Sequence, residues 1–201
     1  MKIAIIGSGK MGKAIGTRWA AAGHSVFFGS READKGRAIA AEVGHNAQGG
    51  TNAEGVAFAD VLLVATPWSV TNALLGSFDS LAGKVLIDLT NNFGGADEDS
   101  ASVQAIVEAA RGAHVVKAFN TIFHHIVSGP PSEAQATVFF VGDDAGAKET
   151  TAALIRDAGL DPVDAGGLKD AAHLDNLAKF IVHLGYSRGL GNNVSYKLVR
   201  I

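Results

Sequence analysis

Lys2-Ile3-Ala4-Ile5-Ile6-Gly7-Ser8-Gly9-Lys10-Met11-Gly12 decides the fold. A short apolar run leads straight into a Gly-x-Gly-x-x-Gly pattern, and residues 11–22 then read as a helix. A lone glycine pattern is weak, but strand, glycine turn and helix in that order are specific. Gly7 permits the tight turn, Gly9 lets backbone approach a pyrophosphate, and Gly12 lets the helix pack close to the strand. The N–H groups at the start of the helix then face the phosphate. The segment Gly7, Ser8, Gly9, Lys10, Met11, Gly12 is therefore assigned to cofactor binding. The competing explanation, a plain glycine-rich turn, is disfavoured by the second strand that follows in order.

Outward from this segment, short apolar runs alternate with helical stretches. Strands are predicted at 2–6, 25–28, 61–65, 85–88, 115–118, 137–141 and 162–164. Several are apolar nearly throughout, as strands buried on both faces are. Helices are predicted at 11–22, 31–43, 69–75, 100–110, 145–158 and 169–190. The rhythm implies an α/β fold, a Rossmann-type doubly wound parallel sheet with a small C-terminal α/β extension. Ser-Gly-Pro-Pro-Ser at 128–132 suits neither helix nor central strand. It puts a soft boundary between a nucleotide-binding part, 1–127, and a smaller part, 133–201. The latter is either a separate unit or an extension of the same sheet.

The second strand chooses the cofactor. A fold specific for NAD usually carries Asp or Glu at its tip, on the ribose 2′-hydroxyl. Here the chain reads Phe28-Gly29-Ser30-Arg31. A guanidinium fork and a hydroxyl suit a 2′-phosphate, so the expected cofactor is NADP(H). Glu32 keeps NAD open. The carboxyl ends of the other strands add Thr66, Pro67 and Trp68, then Thr90 and Asn91, then Asn120 and Thr121. Such neutral polar groups suit a nicotinamide amide and riboses. Trp68 either covers the cofactor or starts the next helix as a packing residue.

Composition narrows the class. The 201 residues are 47% hydrophobic and 18% charged, an ordinary globular balance. A net charge of −3 gives no basic footprint for nucleic acid or an anionic membrane. The absence of cysteine excludes disulfides, thiolate zinc, iron–sulfur clusters and a cysteine nucleophile. No apolar run approaches the roughly 20 residues of a membrane helix, and Met1–Ile6 runs straight into glycines without the apolar stretch of a signal peptide, so a cytoplasmic protein is expected. The seven histidines show no metal-site spacing, and His124 and His125, as neighbours, are expected to point differently. His183 is expected in the core. Neither Tyr186 nor Tyr196 has Lys four residues on, so the tyrosine–lysine pair of short-chain reductases is missing. Lys117 and His124 are the candidate proton donors at the rim. So few acid–base groups favour direct hydride transfer between two redox cofactors, without a catalytic side chain.

The chain resembles the NADPH-dependent coenzyme F420 reductases, the F420-dependent NADP oxidoreductases. The likeness rests on Gly7–Gly12, Gly29-Ser30-Arg31, Val116-Lys117-Ala118-Phe119-Asn120-Thr121, Val141-Gly142-Asp143-Asp144 and Asp164-Ala165-Gly166-Gly167-Leu168. The cytosolic domain of certain membrane ferric reductases looks similar too. The resemblance implies NADPH across the strand ends, with Ser30 and Arg31 on the 2′-phosphate. It implies a deazaflavin, F420, or a flavin as small-molecule acceptor. It also implies a homodimer through the C-terminal helix, where Leu174, Leu177, Phe180, Ile181 and Leu184 form an apolar stripe. An NADPH-dependent imine or carbonyl reductase, with Lys117 or His124 as proton donor, and a non-catalytic NADP-sensing module are the alternatives.

Overall fold

The computed structural model describes residues 1–93, 101–130, 136–199 and 201. Part of the segment 128–132, the start of the predicted helix 100–110 and the start of the part 133–201 lie outside the described residues. Among those described, eight strands form one sheet in the order β3-β2-β1-β4-β5-β6-β7-β8. They are β1 (Lys2–Ile6), β2 (Ser25–Ser30), β3 (Gln48–Thr51), β4 (Val61–Val64), β5 (Val85–Asp88), β6 (His114–Ala118), β7 (Thr137–Gly142) and β8 (Asp161–Asp164). All neighbours pair in parallel except β6 and β7. The strand order turns back between β1 and β4, the place where ligands bind in such sheets.

Period-two alternation divides the core. Ile3 and Ile5 of β1 join Phe28, Leu63, Ile87 and Val116 under α1 (Lys10–Ala21), α2 (Ala33–Val43) and α7 (Ala145–Asp157). Ala4 and Ile6 join Phe27, Leu62, Val64 and Leu86 on the other face, with α3 (Asn52–Phe58), α4 (Trp68–Gly76), α5 (Ala101–Ala109) and α8 (Ala171–Val182). Strands so buried on both faces explain the continuous apolar runs.

Three features were not expected. The first is β3 with α3. Gln48-Gly49-Gly50-Thr51 has no apolar or aromatic side chain to announce a strand. It forms because α2 lies directly on it: a Cβ on Gly36 would collide with Gly50 backbone, and one on Gly49 with Gly36 backbone. Thr51 then caps α3. Its hydroxyl accepts the Glu54 N–H at 3.2 Å, and the Glu54 carboxylate accepts the Thr51 N–H at 2.6 Å. The second is a short helix α6, His124–Ser128.

The third is the C-terminus. The helix predicted over 169–190 is divided into a 3-10 turn at Leu168–Asp170, α8, and a π turn at His183–Ser187. Gly189 and Gly191, both with positive φ, end it. His183 is exposed, not buried in the core. Within the expected stripe, Leu174 and Ile181 are buried and Phe180 is exposed.

No described helix is long and apolar enough to cross a membrane.

The α2–β3 contact has no space for a side chain. Gly36→Val is expected to cost about 1–3 kcal/mol through overpacking. Urea denaturation at constant m value would measure it, and an unchanged midpoint would contradict this packing.

Candidate active site

Gly7 sits at φ +114°, open to glycine and strained for other residues. A Cβ there would lie 2.7 Å from the Ala65 carbonyl oxygen. Gly12 is tied to the sheet in the same way, its Cβ position 2.8 Å from Ile5 Cγ2 and 2.9 Å from Ala65 Cβ. Gly9 differs. A Cβ on it would meet only the Ala65 carbonyl oxygen, at an ordinary 3.7 Å, so the space over its exposed backbone is left to a ligand. Gly9 is also the N-cap of α1 and has no side chain to satisfy the first N–H groups. Unpartnered N–H groups and the helix dipole make this end an anion site.

A cleft of about 350 Å³ opens there, lined by Gly7, Ser8, Gly9, Ser30, Arg31, Thr66 and Pro67. These residues, distant in sequence, are part of the predicted set. The cleft adds five residues that the sequence alone did not single out as site residues: Lys35, Asn52, Ala65, Val70 and Leu74. Arg31 and Lys35 are exposed, with no ion-pair partner among the described residues. Glu32 is the cleft's carboxylate. Asn52 is buried beneath Gly29, and its Oδ1 has no hydrogen-bond partner. Lys35 follows Arg31 by one helical turn, a spacing visible in the sequence. Asn52 lies on the element whose existence was not foreseen.

Other predicted residues fall elsewhere. Trp68 is seated against the core and does not line the cleft. Met11 is half-buried against the opposite core cluster. Lys10 and His124 line a larger groove, about 720 Å³, on the far side of α1. That groove's other cations are engaged. Arg18 donates to the carbonyls of Val127, Ala158 and Gly129, and Lys13 pairs with Glu42. The rings of His124 and His125 lie together, centroids 3.8 Å apart, where divergent side chains were expected. Burial, then His125, then Lys10 hold the His124 imidazole below its usual range, so it is neutral near pH 7. No cluster of three metal-ligating side chains occurs among the described residues.

Lys117 is not an open rim group either. Its side chain is 2% exposed, and its ammonium lies 3.1 Å from Asp175 and 3.5 Å from Asp88 while donating to the Thr90 carbonyl at 2.9 Å. Burial acts against the charge, but the two carboxylates prevail and hold the Lys117 pKa above its usual value. A lysine so held gives up no proton at neutral pH. Asn120 joins this cluster, donating Nδ2 to Asp175 and to Asn91, each at 3.2 Å. Asn91 in turn donates to the Asn120 carbonyl at 3.1 Å. The two rim asparagines thus form one unit, with Thr121 buried beside them.

Removing the ammonium would leave two buried carboxylates uncompensated. Lys117→Met is therefore expected to destabilise the fold by about 3–5 kcal/mol, read by denaturant titration. A loss below 1 kcal/mol would contradict the ion cluster.

Residues 2–92 match the family model described as NADP oxidoreductase, coenzyme F420-dependent. The F420-dependent NADP reductase of Methanothermobacter marburgensis is 28% identical over 96% of this chain and 96% of its own length. Metalloreductase STEAP3 of Rattus norvegicus is 28% identical over 87% of this chain, which spans only 36% of that protein. A crystal structure from Arthrobacter sp. FB24, described as a candidate F420-dependent NADP reductase, superposes with a TM-score of 0.83 at 26% identity, covering 100% of both chains. With the glycine turn, the cationic second-strand tip and the eight-stranded sheet already in hand, the chain is similar over residues 2–92 to the NADP oxidoreductases described as coenzyme F420-dependent.

Proposed function

We propose that the chain transfers hydride between NADP(H) and a deazaflavin, coenzyme F420, or a flavin. The observation that carries this is the cleft, which joins an uncapped helix N-terminus to Arg31, just after β2, and Lys35, on α2, neither with an ion-pair partner among the described residues. Gly9 and the first turn of α1 hold the pyrophosphate. Ser30, Arg31 and Lys35 hold the 2′-phosphate, two cations outweighing Glu32. Pro67, Val70 and Leu74 give the adenine an apolar wall. The buried Oδ1 of Asn52 offers an acceptor to a ribose hydroxyl. Asn91, Asn120 and Thr121 lie farther along the strand ends, where the nicotinamide half belongs in this fold.

Bound NADPH supplies the hydride. The protein's task is then to orient and to exclude water. Lys117 holds its proton and His124 faces another groove, which disfavours a carbonyl or imine reductase that needs a positioned acid. The acceptor is inferred from the named relatives as well as from this lack. The part after residue 133 would close the acceptor side of the cleft. Exposed Phe180 on α8 supports pairing of two copies through that helix.

Gly9→Val is expected to abolish NADPH binding by filling the phosphate space, and unchanged affinity by calorimetry would remove the phosphate assignment. Arg31→Ala is expected to weaken NADPH by about 1–3 kcal/mol while leaving NADH within twofold. Equal losses would mean that Arg31 does not read the phosphate. Stopped-flow oxidation of bound NADPH with F420, FMN and FAD in parallel tests the reaction. Turnover with a deazaflavin or flavin is expected. Tight NADPH binding without turnover by any of them would leave a sensing module.

A further inference from the structure

Asp175 is a residue that the sequence did not single out. It projects from α8, and its side chain is 8% exposed. Burial pushes its carboxyl up and Lys117 pulls it back. Oδ1 takes Lys117 at 3.1 Å and Asn120 Nδ2 at 3.2 Å, and Oδ2 accepts Ser102 Oγ at 3.4 Å.

The chemistry of a carboxylate settles which way Asn120 faces. An ionised carboxylate only accepts, so the amide nitrogen must be the atom turned to it. Asn91 accepts from that same nitrogen. Both donor contacts of Asn120 are thereby spent within the protein, and the atom left over is Oδ1. It is buried and has no partner. Two neighbouring hydroxyls at the ends of β5 and β6, Thr90 Oγ1 and Thr121 Oγ1, are also buried without partners. Leaving a buried acceptor unmet costs about 1–3 kcal/mol, so a donor that comes within reach of Oδ1 would gain by it.

We infer that Asp175 is a positioning residue that fixes the amide of Asn120 so that its oxygen accepts from the carboxamide N–H of the nicotinamide. The inference rests on the NADP(H) assignment above. It also gives α8 a task in the reaction. The segments Gly142–Asp144 and Gly166–Leu168 lock the start of that helix: Gly142 N–H donates to the Gly166 carbonyl at 3.2 Å, and Asp143 accepts the Leu168 N–H at 2.8 Å. The amide of Asn120 is thus oriented from the C-terminal part of the chain.

The test compares two ligands that differ only in the nicotinamide: NADP+ and 2′-phospho-ADP-ribose, titrated calorimetrically. Asp175→Leu frees the Asn120 amide to turn and is expected to weaken NADP+ about tenfold, with 2′-phospho-ADP-ribose unchanged. Asp175→Asn retains an oxygen toward Asn120 and is expected to restore NADP+ to within about twofold of wild type. Asn120→Ala removes the acceptor, leaves the Asp175–Lys117 pair, and is expected to reproduce the selective loss even where the leucine variant does not fold. Equal loss of both ligands, or no loss of NADP+, would overturn the inference. Failure of the wild-type protein to bind either ligand would instead overturn the nucleotide assignment.

Discussion

At Gly12 the fold has no room for a methyl group. The position where one would stand is occupied by the side chains of Ile5 and Ala65, both within 2.9 Å. Helix α1 therefore rests directly on β1 and the end of β4, and its uncapped N-terminus is carried to the line where the strand order reverses. Gly7 makes the turn that brings it there. The rest follows from this contact. The anion site lies at the centre of the strand ends, β2 extends to one side with its cations, and β5 and β6 extend to the other with their amides.

The two sides are built differently. On the β2 side Arg31 and Lys35 are exposed and have no ion-pair partner among the described residues, as expected of a surface that meets a charged, solvated phosphate. On the β5–β6 side they are buried and bonded to one another. Asp88, Lys117 and Asp175 carry two carboxylates and one ammonium within hydrogen-bonding reach, from two strands and a distant helix. Such a cluster is costly to desolvate and contributes little net stability. What it supplies is a fixed arrangement of donors and acceptors under the asparagines. Phe119, buried and at φ +66°, turns the chain between Lys117 and Asn120, an uncommon conformation for a bulky residue. Strain of this kind is held at a point where side-chain direction matters.

Much of this was legible in the amino-acid order, because the strongest signals were local. The β1–α1 turn, the apolar strands and the Ser30-Arg31 tip all announce themselves within a few residues. What escaped was non-local. The strand β3 has no hydrophobic pattern of its own and exists because Gly36 and Gly49 let two backbones meet. Asn52 and Lys35 were missed with it, although the Thr51-to-Glu54 capping spacing was present. Trp68 was assigned to the cleft from its place after a strand, yet an indole beginning a helix buries more area against the core. Lys117 read as a proton donor because strand ends face ligands. Its partner Asp175 lies 58 positions away, beyond the reach of any spacing argument. The His124–His125 pair was expected to diverge, yet the two rings meet at a centroid distance of 3.8 Å.

Under the proposed function, a site with a held lysine, a neutral histidine outside the cleft and bonded asparagines serves to orient its reactants. It is poorly suited to donating a proton. The account therefore turns on the hydride itself. NADPH labelled with deuterium at the transferred C4 position should be mixed with the protein and F420, and the reduced deazaflavin isolated for mass spectrometry. Direct transfer predicts the label retained on carbon in the acceptor, one deuteron per molecule reduced. Label appearing in water, or NADPH left intact beside F420, would contradict it.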